Sequence, residues 1–342
     1  MQKLRVNVVS ESEVSVQGHG VHTAYLETIH ALKKRDDIVV TQDMFTSLPV
    51  ADVHHIHTVG VRVWSRLRDK RAKKVFSAHV VPESFRGSLV LADYWLWLAK
   101  IYLRWVYNQA DEILAVSDAT KDELEKIGVK KPVTVMYNSI DTSRYKRGSE
   151  KLRQEMRQKL GVKADAFIVM GAGQTQPRKR LDTFIQTAKE LPEVTFLWVG
   201  GMPFGHLAAE YENVKKLMNN APKNVLFTGI VDLDKMPTYY AISDVFMLPS
   251  IQETFGLVVV EAAASGLPIV LRNVTDYDTT FKDDAWRCDE GDFVKAITKL
   301  RQSPEAYALW QKKAKNIAKR FDSVMAADKL VRIYRDVVYN TK

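Results

Sequence analysis

Short apolar, β-branched runs alternate with longer amphipathic stretches along the whole chain. In the first half, Arg5–Ser10, Ile38–Thr41, Val53–His57, Lys74–His79, Glu112–Val116 and Val133–Tyr137 read as strands. A polar, turn-rich stretch, Asn138–Glu150, interrupts the pattern, which restarts with Phe167–Gly171, Thr195–Gly200, Val225–Thr228, Val245–Pro249 and Pro268–Arg272. Strands and helices that alternate in this way build parallel α/β sheets. Two doubly wound α/β domains are therefore predicted, residues 1–149 and 150–322, with ligands expected at the carboxyl ends of strands and a cleft between the halves. A last helix, Ser323–Tyr339 in the segment 323–342, follows Phe321-Asp322 and is expected to cross back to the first domain.

The segment Ser88–Asn108 has helical periodicity. At about 100° per residue, Leu91, Trp95, Leu98, Tyr102 and Trp105 share one apolar face, while Asp93, Trp97, Lys100 and Arg104 line the other. The first face is expected to be buried, leaving Trp97 exposed among cations. Asp93, Lys100 and Arg104 also interrupt the longest apolar region, Leu89–Val106, so it does not read as a transmembrane span.

Composition narrows the class. A chain of 342 residues exceeds one ordinary core and fits two. The formal charge of +9 implies an anionic partner, and no zinc-finger or RRM signature accompanies it, so nucleic acid is set aside. Cys288 is the single cysteine, which rules out an internal disulfide framework and suggests a reducing compartment. Met1-Gln2-Lys3 leads straight into the first strand with no export signal, so a cytoplasmic location is expected. The basic excess is concentrated: Arg62–Arg104 holds ten basic against three acidic residues, accompanied by Trp64, Trp95 and Trp97 and followed by Trp105. That mixture suits an anionic membrane surface. A solvated basic helix beside an aromatic core helix is the plainer alternative.

The chemistry-bearing segments lie just after strands. Pro249 to Pro268 joins a strand, a loop holding Glu253, a turn Phe255-Gly256-Leu257 and an Ala-rich helix holding Glu261, eight residues after Glu253. Free amides at the helix start suit a pyrophosphate or sugar oxygens, and Gly256 lets a ligand approach the backbone closely. Gly171-Ala172-Gly173-Gln174-Thr175-Gln176-Pro177-Arg178-Lys179-Arg180 is a strand leaving into a basic loop. Gly18-His19-Gly20 precedes a helix, and Ser77-Ala78-His79 ends a strand. Val53-His54-His55-Ile56-His57 tempts a metal reading, but alternation puts His55 and His57 on one face and His54 on the other, so no metal site is expected. Asp232-Leu233-Asp234 and Asp276-Tyr277-Asp278 read as caps or turns. The plainer alternatives are a helix-start charge for Glu253, solvated loop cations for Arg178 and Lys179, an ordinary turn for Gly18 and Gly20, and a structural role for His79.

The Pro249–Pro268 segment resembles the E-x7-E region of the GT4 family of glycosyltransferases, and the Gly171–Asp182 loop resembles that family's phosphate loop imperfectly. This resemblance covers most of the chain and implies the GT-B fold, two Rossmann-like domains facing a cleft. It also implies retention of anomeric configuration. By resemblance, Lys179 neutralises the diphosphate leaving group, Gln174 stands where arginine is usual, and Arg178 replaces the missing charge. Arg180 stands where glycine is common, which leaves the local backbone open to differ. Glu253 would accept hydrogen bonds from the transferred hexose, Glu261 would hold the ribose, and His79 would contact the donor sugar near its C6 hydroxyl. Gly18, Gly20, Phe255, Gly256 and Leu257 would line the donor. Asn138-Ser139-Ile140-Asp141 resembles the family's Asn-Gly-Val-Asp turn and supports the boundary.

Among relatives, the opening segment, the Gly171–Lys179 loop and the length look like Gram-positive glycolipid synthases. Those enzymes add a second hexose to monoglucosyl-diacylglycerol, the glycolipid anchor of lipoteichoic acid. The implied donor is UDP-galactose or UDP-glucose, with no cofactor required. The implied partners are a glycolipid acceptor and the inner face of the cell membrane, met peripherally through Trp97, Lys100 and Arg104. The alternatives are transfer to a soluble or polyprenyl-linked saccharide, and a non-catalytic nucleotide-sugar-binding or membrane-scaffolding protein.

Overall fold

The computed structural model describes residues 3–11, 20–42, 49–82, 92–202 and 211–340. The chain divides into two compact units, one formed by Met1–Arg86, Leu91–Asp141 and Phe321–Lys342, the other chiefly by Thr142–Arg320. The first unit therefore closes at Asp141 and resumes at Phe321, where the sequence suggested 149 and 323.

In the first unit the order is β1 Leu4–Val9, α1 Gly20–Lys33, β2 Ile38–Thr41, β3 Val53–Ile56, α2 Trp64–Leu67, β4 Lys73–Ala78, α3 Ala92–Tyr107, β5 Glu112–Ala115, α4 Asp118–Lys126 and β6 Val133–Val135. The second unit runs α5 Glu150–Lys159, β7 Ile168–Ala172, α6 Leu181–Glu190, β8 Thr195–Val199, α7 Tyr211–Asn219, β9 Val225–Phe227, α8 Met236–Ile242, β10 Val245–Leu248, α9 Leu257–Ala264, β11 Ile269–Arg272, β12 Trp286–Cys288, α10 Phe293–Gln302 and α11 Pro304–Arg320. The last helix, α12 Ser323–Tyr339, belongs to the first unit. The eleven expected strands are all present, with ends shifted by a residue or two; β12, only three residues long and carrying a central arginine, is additional.

Each unit holds a six-stranded, all-parallel sheet, ordered β2-β1-β3-β4-β5-β6 in the first and β12-β11-β10-β7-β8-β9 in the second. Continuous apolar strands explain why: β7, β10 and β11 are buried along their whole length, as strands covered by helices on both faces must be. The strand order reverses between β1 and β3 in the first sheet and between β7 and β10 in the second. Such reversals open a crevice at the strands' carboxyl ends, and ligands of these sheets bind there.

Two features brace these reversals. In the second unit, Asp244 just before β10 accepts from Arg153 (2.6 Å), Arg157 (3.0 Å) and the Ile168 amide (2.9 Å), tying α5 and the starts of β7 and β10 together at the far end of the strands. In the first, Leu330, Val331 and Tyr334 of α12 join Val6, Val8, Tyr25 and Ile29 in one buried cluster. Asp322 caps α12 by accepting from the Val324 amide.

Helix α3 differs from its expected orientation. Leu96, Leu103, Val106 and Tyr107 are the buried residues, whereas Leu98 is 51% and Trp105 45% exposed. The helix is rotated because Leu103, Val106 and Tyr107 fit the β4–β5 core, where Tyr107 packs edge-on against Phe76 and donates to the Val80 carbonyl. Leu91 and the side chain of Asp93 lie outside the described residues.

Candidate active site

The site in the second unit grows from the reversal between β7 and β10, whose register pairs Val169 with Val245 and Met170 with Phe246. β7 leaves into Gly173, whose amide donates to the Val199 carbonyl at 2.9 Å. The two backbones press together there: a Cβ on Gly200 would meet the Gly173 carbonyl oxygen at 2.1 Å, so a side chain at Gly200 would force the loops apart. The loop then makes one short helical turn, Pro177–Lys179, and passes through Arg180 into α6. Arg180 has φ 51 and ψ 53 and is the one non-glycine residue with positive φ among those described. The backbone thus keeps the conformation that a glycine would adopt, and its side chain is held by Asp182 and Glu290.

The β10 loop is stitched alongside, with the Ile251 amide donating to the Arg178 carbonyl at 2.9 Å. Three predicted residues meet here. The buried Lys179 ammonium donates to the buried Glu253 carboxylate, and Arg178 Nη1 lies 3.7 Å from the other carboxylate oxygen. Arg178 also donates to the Gln252 carbonyl and to Gln176 Oε1, both at 3.0 Å. Burial is the largest influence on Glu253 and opposes its ionisation, but Lys179 and Arg178 together outweigh it and hold the carboxyl below its usual range. For Lys179, burial dominates and pulls its pKa down against the attraction of Glu253. Gln174 lies in the same loop with its Oε1 accepting from Gln176, while its buried Nε2 and the buried Thr175 hydroxyl have no partner among the described residues. Such orphaned donors are costly unless something occupies the site.

Gly256, at φ 91, starts α9 and offers no side chain to cap it, so the first amides of α9 have no side-chain cap. Phe255 packs its ring against Phe281, 5.9 Å away, and so sets the approach to that turn. Glu261 sits deeper, buried, and accepts from the Tyr240 hydroxyl at 2.7 Å. Two further residues shape the site, the first read from sequence only as a cap or turn and the second not singled out. Asp276 accepts from the Glu253 amide at 2.8 Å, so it caps another segment's backbone and positions the glutamate. Tyr240 is the second, and no local motif marks it.

In the first unit, His79 follows β4 and is buried; its Nε2 lies 3.0 Å from Nδ1 of His57, which follows β3. His55 bonds to Ser77 at 2.8 Å and to Tyr334 of α12 at 2.6 Å, and His54 bonds to Asn7 and Asp69 on the other face, as strand alternation requires. Gly20 is the first residue of α1 and a Cβ on it would meet nothing, so packing among the described residues does not demand glycine there. Gly18 lies outside the described residues. On α3, Trp97 is 60% exposed beside exposed Lys100 and Arg104, and Leu98, Ile101 and Trp105 extend this surface. Trp64, Leu67, Arg68, Tyr102, Trp105 and Gln109 line a recess of about 390 Å³ next to it. Arg66 is buried and Arg71 is paired with Asp69, so the Arg62–Arg104 segment presents fewer cations than its composition suggested.

The profile of the glycosyl transferases group 1 matches residues 153–317, and that of Glycosyltransferase Family 4 matches residues 48–144. The chain is 34% identical to the alpha-galactosylglucosyldiacylglycerol synthase of Streptococcus pneumoniae over 98% of its own length and 89% of that protein's. It belongs to the family 4 glycosyltransferases. The processive diacylglycerol alpha-glucosyltransferase of Acholeplasma laidlawii is 27% identical over 80% of both chains. Among solved structures, HepE of Anabaena in complex with UDP and glucose superposes with a TM-score of 0.78 at 19% identity, covering 96% of this chain and 99% of that one. Sucrose-phosphate synthase of Thermosynechococcus elongatus gives 0.78 at 16% identity, covering 99% and 100%. The glycosyltransferase thus has the GT-B fold, and no helix among its described residues is long and apolar enough to cross a membrane.

Proposed function

We propose that this glycosyltransferase moves galactose or glucose from a UDP-sugar to a membrane glycolipid, monoglucosyl-diacylglycerol, with retention of configuration, in synthesis of the glycolipid anchor of lipoteichoic acid. The donor half rests on the Lys179, Arg178 and Glu253 cluster at the carboxyl ends of β7 and β10. A UDP-sugar is supported by the UDP and UDP-glucose bound to structures of the same fold. The acceptor half rests on the similarity to a diacylglycerol glycolipid synthase along nearly the whole chain, and on the exposed Trp97, Leu98, Ile101 and Trp105 interleaved with Lys100 and Arg104. Exposed aromatic and aliphatic side chains among cations suit the headgroup interface of an anionic bilayer. On this reading the protein works peripherally, at the cytoplasmic face of the membrane.

In the reaction, the bond between the sugar C1 and the diphosphate oxygen breaks as the acceptor hydroxyl adds to C1 from the same face. The acceptor proton passes to the departing phosphate oxygen, so no protein base is assigned. Lys179, Arg178 and the α9 amides stabilise the developing diphosphate charge, which is electrostatic catalysis by groups fixed in advance. In the resting protein Glu253 keeps the Lys179 ammonium from being buried alone; a bound diphosphate takes over that partnership, and Glu253 turns to the sugar hydroxyls. Gln174, Phe255, Gly256 and Leu257 line the phosphates, Glu261 holds the ribose, and His79 contacts the sugar. A panel of acceptors tests the assignment: labelled UDP-galactose and UDP-glucose are offered with glucosyl-diacylglycerol vesicles, with a soluble disaccharide and with a polyprenyl-linked saccharide. Label confined to a diglycosyl lipid is expected, and label in a water-soluble saccharide would overturn the lipid acceptor.

A further inference from the structure

His57 is buried, follows β3, and has one of its two ring nitrogens committed to His79, while the other, Nε2, has no partner among the described residues. The two rings lie 5.1 Å apart between centroids with planes only 21° from parallel. With Nδ1 and Nε2 at 3.0 Å, that is an in-plane, edge-to-edge N–H···N hydrogen bond rather than face-to-face stacking. Burial, with His55 and His79 close by, keeps His57 neutral, so a single proton sits between the two rings.

Only two arrangements are open. If His79 donated through Nε2, the His57 proton would have to reside on its own Nε2, a buried N–H with no acceptor. If His57 donates through Nδ1, its Nε2 is left as a bare lone pair, and His79 carries its proton on Nδ1. Buried donors are left unmet less often than buried acceptors, which favours the second arrangement. Since Nε2 of His79 is committed to His57, Nδ1 is the nitrogen through which its ring meets any third group.

We propose that His57 is the positioning residue for His79: it donates Nδ1–H to His79 Nε2, fixes His79 as the Nδ1–H tautomer and presents it as a hydrogen-bond donor to an oxygen of the transferred sugar. The last part rests on the sugar contact proposed for His79 above; the tautomer does not. The side chain orienting this histidine is another neutral histidine, where a carboxylate is the commoner partner, so no fixed negative charge is placed behind the ring. A neutral donor at this position meets a sugar oxygen without adding a buried cation beside it.

The test uses the full chain labelled with 15N at the histidine rings, without substrate, at neutral pH. His79 is assigned by the signals lost in His79→Gln. The expected result is a protonated Nδ1 and an unprotonated Nε2 on His79; a protonated Nε2 in the wild type would overturn the proposal whatever the enzyme transfers. Steady-state kinetics then read the consequence. His57→Leu is expected to lower kcat about tenfold with KM for the UDP-sugar little changed, and His57→Asn, whose amide N–H stands near the Nδ1 position, is expected to restore most of it. Equal loss in the Leu and Asn variants, or no loss in either, would contradict the positioning role. If His57→Leu fails to fold, the wild-type spectrum still decides the tautomer.

Discussion

At its reversal the second sheet carries a buried ion pair, Lys179 with Glu253, whereas the ends of β3 and β4 in the first sheet carry buried histidines, of which His55 and His57 are neutral. Both sites stand at the carboxyl ends of parallel strands, yet they meet the cost of burying polar groups in opposite ways. In the ion pair each partner makes the other's burial tolerable, and on the function proposed above it keeps charge ready for a diphosphate. The histidines avoid that cost by staying uncharged, His55 having its pKa pulled down to about 3 by burial and His57 well below the usual value. On the proposed function, a leaving group that develops charge calls for the first arrangement and orientation of a sugar hydroxyl for the second.

The largest expected effect breaks the ionic side. Lys179→Ala should lower turnover by about 10²- to 10³-fold, as loss of one fixed stabiliser of transition-state charge does. It should also destabilise the second unit by about 3–5 kcal/mol, because Glu253 is left buried without its ammonium. Lys179→Met combined with Glu253→Gln removes both charges and should recover most of that stability but none of the activity. Denaturant unfolding and initial rates on the same preparations separate the two effects.

Acid sharpens the contrast. In the unfolded chain a histidine protonates below about 6.5, while in the native state His55 and His57 stay neutral. The unfolded state then binds more protons, so stability falls as pH drops below about 6.5, each histidine contributing a slope approaching 1.4 kcal/mol per pH unit, roughly. Glu253 has a folded pKa below its ordinary value, so the stability it contributes is retained above about 4.5 and lost only as pH falls further. Hydrogen exchange at about pH 7 and pH 5 should therefore show amides of β1, β3 and β4 losing protection before those of β7 and β10. Equal loss in both sheets would remove the distinction.

Smaller effects follow on the surface and in the loop. A Trp97→Ser, Lys100→Ser, Arg104→Ser variant should bind anionic vesicles more weakly, by about 1 kcal/mol for each cation, and wild-type sedimentation should weaken with salt. Normal binding by the variant would move the docking surface off α3. Arg180→Gly should be more stable than Arg180→Ala by about 1 kcal/mol, since both lose the pairs to Asp182 and Glu290 but only glycine relieves the left-handed backbone. Thermal melts of the two variants give the comparison. The smallest expected effect is that of EDTA: transfer should continue, because Lys179, Arg178 and the α9 amides supply the positive charge, while Asp232 is paired with Lys235 and Asp276 is bonded to the Glu253 backbone. Abolition by chelation with rescue by magnesium or manganese would contradict that division of labour.

Most of the fold was readable because continuous apolar strands bounded by turn residues leave a strong local signal; β12, with arginine at its centre, leaves none. The ionic site was readable for the same reason, since Arg178, Lys179, Glu253 and Gly256 sit in strand-loop-helix segments with distinctive chemistry. Asp276 and Tyr240 act across 23 and 21 residues of sequence on other segments, and no periodicity encodes such pairs. The face of α3 was misread because Trp95, Leu98 and Trp105 form as regular an apolar stripe as Leu103, Val106 and Tyr107, and only packing against the β4–β5 core chooses between them. His57 was visible, but as one of three histidines weighed for a metal rather than as the partner of His79.

The most direct measurement is single-turnover transfer of labelled hexose from a UDP-hexose to glucosyl-diacylglycerol in anionic vesicles, comparing wild type with the Lys179→Met, Glu253→Gln variant at equal stability. The account predicts a labelled, α-linked diglycosyl lipid from the wild type and a rate at least about 100-fold lower from the variant. Comparable rates, or a wild-type product that is not a glycolipid, would contradict it.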